Sequence, residues 1–157
     1  MQKEQFNLLA LQTLQSAGVA HTPQRLAVLT VLLKAAKPLS AAGIRQTIMV
    51  RSRIDKVTVY RIIALFRKQG IIREIISTNG ANYFEMASLE NPVHPHFECR
   101  HCGQLSCLAP LTFTSANQLI SANNDYSIDH IEISISGLCA GCRNATRLHK
   151  QSNRRTL

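Results

Sequence analysis

The stretch His94–Cys107, H-P-H-F-E-C-R-H-C-G-Q-L-S-C, constrains this chain more than any other. It holds three of the six histidines and three of the five cysteines. The other two cysteines, Cys139 and Cys142, stand in G-L-C-A-G-C near the C-terminus. Two C-x-x-C knuckles, each beside a glycine, supply four thiolates. Four thiolates close a tetrahedral zinc shell, and a closed shell is structural rather than catalytic. Cys99, Cys102, Cys139 and Cys142 are therefore the expected structural zinc ligands. The spacer between the knuckles is longer than in a minimal zinc ribbon, with room for a helix and a strand, so the metal is expected to pin a whole small domain. The alternatives are buried thiols or disulfides. Disulfides need an oxidising compartment, and M-Q-K-E-Q-F at the N-terminus lacks the apolar stretch of a signal peptide.

A chain of 157 residues, 45% apolar, makes one or two small domains. Two half-size domains are marginal alone, and a structural metal and dimerisation are the usual remedies. No apolar run approaches the roughly 20 residues of a membrane span, so a cytoplasmic protein with no membrane partner is expected. The net charge of +9 is unevenly placed. Residues 1–86 carry 12 Lys and Arg against 4 Asp and Glu, whereas residues 87–157 carry 6 against 5. The excess belongs to the half without cysteines. It suggests a polyanionic partner, most simply nucleic acid, although a solvated basic surface has the same composition.

Local signals divide that basic half into helices. Lys3–Ala17 reads as a helix with Phe6, Leu8, Leu9, Leu11 and Leu14 apolar and Gly18 as its end. Thr22-Pro23 starts a second helix, with Thr as N-cap and Pro in the first turn. It runs to about Ala35 and stops before Lys37-Pro38. Ser40 caps a third helix from Ala41 to about Val50. Asp55 caps a fourth, about Lys56–Gln69, closed by Gly70. In this last helix Val59, Ile62, Ile63 and Phe66 form one buried stripe. Tyr60, Arg61, Ala64 and Lys68 fall on the opposite face, where a tyrosine, two cations and a small residue suit a major groove. Alone, such a face is an ordinary solvated one. Its context is more specific: Ile71–Ser77 and Asn82–Met86 read as strands joined at Asn79-Gly80, a hairpin turn. Helices followed by a two-stranded wing make a winged helix-turn-helix, whose last helix reads DNA. Lys56, Thr58, Tyr60, Arg61 and Lys68 are the candidate DNA contacts.

Ala87–Pro95, with Pro92 and Pro95, reads as a hinge. Phe97–Glu98 and Gln104–Leu108 read as short strands, Pro110–Ala122 as a helix, and Tyr126–Ser136 as a long strand into the second knuckle. The expected class is α+β: a winged-helix DNA-binding domain over 1–86, a linker over 87–96, a zinc-stabilised α/β dimerisation domain over 97–145 and a basic, disordered tail over 146–157.

These residues are similar to the Fur family of metal-sensing bacterial repressors. The resemblance spans roughly residues 10–145 and rests on T-P-Q-R at Thr22–Arg25, T-V-Y-R at Thr58–Arg61, Gly70, H-x-H-F-x-C-x-x-C-G from His94 to Gly103, and G-L-C-A-G-C. It implies a homodimer that grips a palindromic double-stranded operator when metal binds at the interdomain hinge, with Tyr60 and Arg61 contacting DNA. It also implies regulatory ligands at Glu85, His94, His96 and Cys107. A histidine that the family often adds before the third helix is replaced by Pro38, which weakens the iron- and peroxide-sensing readings. If strand-borne, His94 and His96 share a face. Two imidazoles, one carboxylate and one thiolate suit tetrahedral zinc better than octahedral iron or manganese. The resemblance is thus closest to the zinc-sensing (Zur) branch, with two zinc ions per subunit. Fe²⁺ or Mn²⁺ at the regulatory site, in an iron- or peroxide-sensing member, is the alternative. Of the remaining histidines, His101 is expected to be exposed and not a ligand, His130 to bond within the sheet, and His21 and His149 to lie on the surface. A zinc hydrolase would need an acid/base pair or nucleophile beside the H-x-H site, and the sequence shows neither. No enzyme activity and no small-molecule substrate are expected. The third reading is a zinc-stabilised protein adaptor with no nucleic-acid partner, which salt-dependent binding to duplex DNA discriminates.

Overall fold

The computed structural model describes residues 2–50, 53–88, 91–110 and 132–145. The chain divides into two compact units, Met1–Pro92 and Val93–Leu157. In the first unit the helices are α1 (Gln2–Ser16), α2 (Pro23–Lys34), α3 (Ala41–Met49) and α4 (Lys56–Lys68), and the strands are β1 (Leu39–Ser40), β2 (Ile72–Ile76) and β3 (Asn82–Met86).

The expected caps close these helices. The Thr22 side chain accepts the Arg25 amide, Ser40 the Gly43 amide and Asp55 the Thr58 amide. Each satisfies one of the orphan N–H groups of a first turn. The Asp55 carboxyl is held below its ordinary range, chiefly by the Thr58 hydroxyl and then by the Thr58 amide. At its far end α4 stops in a Schellman arrangement: the Ile71 amide bonds to Phe66 O at 2.9 Å and the Gly70 amide to Arg67 O at 3.0 Å. Gly70 takes φ +66°, which a side chain would disfavour.

The core of this unit is one cluster. Phe66, Leu14, Leu29, Ile44, Val28 and Val59 are its largest fully buried side chains. Val59, Ile62, Ile63 and Phe66 are the buried face of α4, as their spacing predicts. Helix α1 forms where the sequence predicts it. It buries Ala10 and Leu14, one turn apart, and leaves Leu8 and Leu9 exposed. With Leu14 inward, residue 10 shares its face and residues 8 and 9 do not.

Strand β1 escaped the sequence reading because two residues carry no alternation. It pairs antiparallel with β3, giving the sheet order β1-β3-β2. The β2–β3 hairpin turns where Asn79-Gly80 predicts, but through three residues. The Ser77 amide bonds to Ala81 O, the Gly80 amide bonds to Ser77 O, and Gly80 takes φ +79° while Asn79 keeps a negative φ. A turn followed by a left-handed glycine is the usual three-residue hairpin loop. Between α3 and α4, Arg45 Nε donates to Ile54 O at 3.2 Å.

The second unit has β4 (His96–Cys99), β5 (Leu105–Cys107) and β6 (Ser134–Gly137) in the order β5-β4-β6. β4 is antiparallel to β5 and parallel to β6. Residues 140–145 are helical, a turn the sequence reading did not foresee. The expected helix Pro110–Ala122, most of the long strand Tyr126–Ser136, His130, His149 and the basic tail lie outside the described residues. Among the described residues, no helix is long and apolar enough to cross a membrane.

Candidate metal centres and nucleic-acid interface

The four knuckle cysteines converge. Cys99 ends β4, and the turn Arg100–Gly103 folds back on it, with the Gly103 amide bonding to Cys99 O at 2.8 Å. Parallel pairing sets Gly137 of β6 beside Cys99, and the chain then continues to Cys139. The four sulfurs lie within 4.8 Å of one another, and Cys102 Sγ is 3.8 Å from Cys139 Sγ. A tetrahedron with Zn–S bonds of about 2.3 Å has an edge of about 3.8 Å. A disulfide needs about 2.05 Å, and all five cysteines are free thiols. The donor set and its spacing fit zinc.

Backbone amides already favour thiolate here. The Cys139 amide donates to Cys99 Sγ at 3.3 Å, and the Cys142 amide to Cys139 Sγ at 3.5 Å. The Cys139 amide, followed by that of Cys102, brings the Cys99 thiol down to about 6. Cys142 moves the other way, pushed up to about 12 by the neighbouring sulfurs of Cys139 and Cys102. Without a metal, four close sulfurs cannot all be anionic. A dication inverts that balance. His101 is exposed, as expected, but its Nδ1 lies 3.5 Å from Cys142 Sγ, an outer contact the sequence reading did not anticipate.

The second cluster in this unit comes from strand register. Cys107 of β5 is the cross-strand partner of His96 on β4. Directly opposed residues carry their Cβ atoms about 4.5–5.5 Å apart. His94 lies two residues before His96, just outside the strand rather than within it. Only His96 of the pair is therefore strand-borne, and the two rings still meet, with centroids 4.6 Å apart. The ligand atoms of His94, His96 and Cys107 lie within 4.8 Å of one another. Both histidines are buried and Cys107 is exposed. Two imidazoles and a thiol at this spacing are a nitrogen–sulfur donor set suited to zinc.

Glu85 belongs to the first unit, on β3, opposite Arg73 of β2. Its Oε1 is 2.8 Å from Arg73 Nε. The sequence reading missed Arg73. The turn contained the signal: counting four residues outward from the Ser77–Ala81 pair reaches Arg73 on one strand and Glu85 on the other.

On α4 the candidate DNA contacts separate by role. Lys56, Tyr60, Arg61, Ala64 and Lys68 are exposed, with Tyr60 at 49%. Lys56 Nζ sits 5.8 Å from the centre of the Tyr60 ring. The Thr58 hydroxyl bonds to the Asp55 carboxylate inside the cap, so its first role is structural. Arg67, also exposed, is paired with Glu74 at 2.8 Å.

Comparison with known proteins agrees with this architecture. The peroxide operon regulator of Bacillus subtilis (strain 168) is 26% identical over 134 residues, which is 85% of this chain and 90% of that protein. The ferric uptake regulator Fur of Helicobacter pylori superposes with a TM-score of 0.70 at 20% identity, over 89% of this chain and 93% of its own. A zinc uptake regulator solved in complex with zinc and DNA superposes at 0.65 and 20% identity, over 94% of this chain and 99% of that one. Residues 16–136 match the profile of the Ferric uptake regulator family. The chain therefore belongs to the Ferric uptake regulator family and is a metal-responsive regulator, not an enzyme.

Proposed function

We propose that this protein is a zinc-responsive transcriptional repressor that acts in the cytoplasm as a homodimer on palindromic operator DNA. Each subunit would hold two zinc ions. Cys99, Cys102, Cys139 and Cys142 carry the structural ion. His94, His96 and Cys107 carry the sensing ion, with Glu85 as fourth ligand by the family resemblance. The observation that carries the zinc reading is the thiol of Cys107 set by register beside His96 and grouped with both imidazoles. A thiolate in a four-ligand set favours zinc over iron or manganese. The zinc- and DNA-bound relative shares the fold and supports the reading.

Under this proposal Lys56, Tyr60, Arg61 and Lys68 of α4 face the major groove and its phosphates, and Thr58 positions the helix through its cap. Glu85 belongs to the wing, and the other three ligands to the second unit. An ion shared by all four binds the DNA-competent arrangement better than others, and that difference in affinity is all it contributes to switching. Couplings of about 1–3 kcal/mol are typical. The histidines must be neutral and the thiol ionised, so sensing weakens in acid.

Relatives at 26% identity are peroxide regulators, which favours an iron- or peroxide-sensing member as the second reading. Metal content per protomer, before and after mild chelation, separates the two in wild type and Cys107→Ser. The zinc reading expects two zinc ions in the wild type, one of them chelation-resistant, and loss of the labile ion alone in the variant. A single tight zinc with no second site that zinc can fill removes the zinc-sensing proposal and directs attention to iron and manganese.

A further inference from the structure

The β2–β3 register sets Arg73 directly against Glu85. The guanidinium is fixed from several sides. Its Nε lies 2.8 Å from Glu85 Oε1, and its Nη2 donates to Met86 O at 3.2 Å and to Asn91 O. The two side chains are only 16% and 7% exposed. This is a desolvated ion pair, and withdrawing one partner's charge from such a pair is costly because the other is left uncompensated. Arginine suits that position, since its planar fork bonds several acceptors at once and stays charged.

We propose that Arg73 is an internal competitor for the Glu85 carboxylate and sets the metal concentration at which the sensing site fills. The inference rests on the reading of Glu85 as a sensing ligand. A divalent ion coordinated by Glu85 takes charge density from the carboxylate that neutralises Arg73 and brings a second cation close to a buried one. The ion pair therefore opposes metal capture and raises the dissociation constant. The same guanidinium holds the carbonyl of Asn91, three residues before His94. Metal capture by Glu85 thus weakens the charge partner of a side chain that fixes the segment leading to the histidines. Arg73 touches no metal in this scheme and is a positioning residue.

Zinc titration against a chromophoric chelator, on full-length protein with its structural zinc retained, tests the idea. Arg73→Gln keeps an amide donor for the Met86 and Asn91 carbonyls and removes the charge. Outer partners of metal ligands change affinity on the order of 10–100-fold, so about ten-fold tighter labile zinc is expected. Arg73→Lys, a charge without the fork, should fall between wild type and Arg73→Gln, and gives the same reading if the glutamine variant does not fold. In a Glu85→Gln background the Arg73 effect should vanish. Unchanged or weaker zinc binding in the Arg73 variants, with Glu85→Gln itself weakening binding, overturns the competitor and leaves Glu85 as a ligand. Unchanged zinc affinity in Glu85→Gln removes Glu85 from the site, and the competitor with it.

Discussion

Lys68→Ala provides a quantitative test of the α4 surface as a DNA interface. Lys68 is exposed in the last turn of α4, on the side carrying Arg61 and Ala64. Its neighbour Arg67 is engaged by Glu74, so Lys68 is the basic residue of that turn directed to a phosphate in the proposed complex. Each neutralised phosphate contributes about 0.9 to the slope of log affinity against log salt. Two recognition helices in a homodimer make the loss about 1.8. Between about 50 and 200 mM salt, a four-fold change, that slope corresponds to about 12-fold. The advantage of wild type over Lys68→Ala should therefore shrink about 12-fold across that range. The assay is fluorescence anisotropy of the zinc-loaded protein on a random-sequence duplex, which isolates the sequence-independent term. Tyr60→Phe, which carries no charge change, should leave the slope as it is. Parallel salt plots for wild type and Lys68→Ala would refute the phosphate contact. Parallel plots for variants of Lys56 and Arg61 as well would refute the α4 interface.

Other predictions concern the fold and the structural site. Phe66 is fully buried in the first unit, and Phe66→Ala should cost about 3–5 kcal/mol in urea unfolding; a loss under about 1 kcal/mol would mean the core is not built around it. In metal-free protein, the Cys99 thiol lies below its ordinary value of 9.0, at about 6. Its contribution to stability is therefore present above pH 9 and disappears as pH falls through about 6. Cys142, raised to about 12, contributes below its ordinary 9.0 and loses that contribution as pH rises through about 12. At pH 8, zinc loading should release the Cys142 proton while Cys99 is already ionised; at pH 5 the Cys99 proton is released as well. Calorimetry in buffers of different ionisation enthalpy counts these protons, and equal counts at the two pH values would contradict the assignment.

Much of this architecture is local and therefore legible in the chain. Thr22, Ser40 and Asp55 announce helix starts because a cap needs only an oxygen at the right offset from an amide. Gly70 announces a stop because its φ is positive. The stripe Val59, Ile62, Ile63, Phe66 follows from helical period alone, and the α4 surface is its complement. The paired C-x-x-C spacing announces a four-thiol cluster before any coordinate, because each knuckle brings two sulfurs together within one turn. Helix α1 was less legible: with apolar residues on several sides, its sequence does not say which side faces inward, and packing selected Ala10 and Leu14.

Long-range register is another matter. The sequence alone determined the residue types of the candidate metal centres, the capped starts of α2, α3 and α4 and the charge of the first unit, since these depend on neighbours a few positions apart. Only the tertiary structure decided that Cys107 stands beside His96, that β1 joins the wing, that His94 reaches His96 from outside the strand, and that Glu85 is held by Arg73. Each depends on the alignment of separate segments. A one-residue slip would turn every side chain of a strand to the other face, and the choice among registers is made by hydrogen bonding and burial summed over whole strands, not by any residue alone.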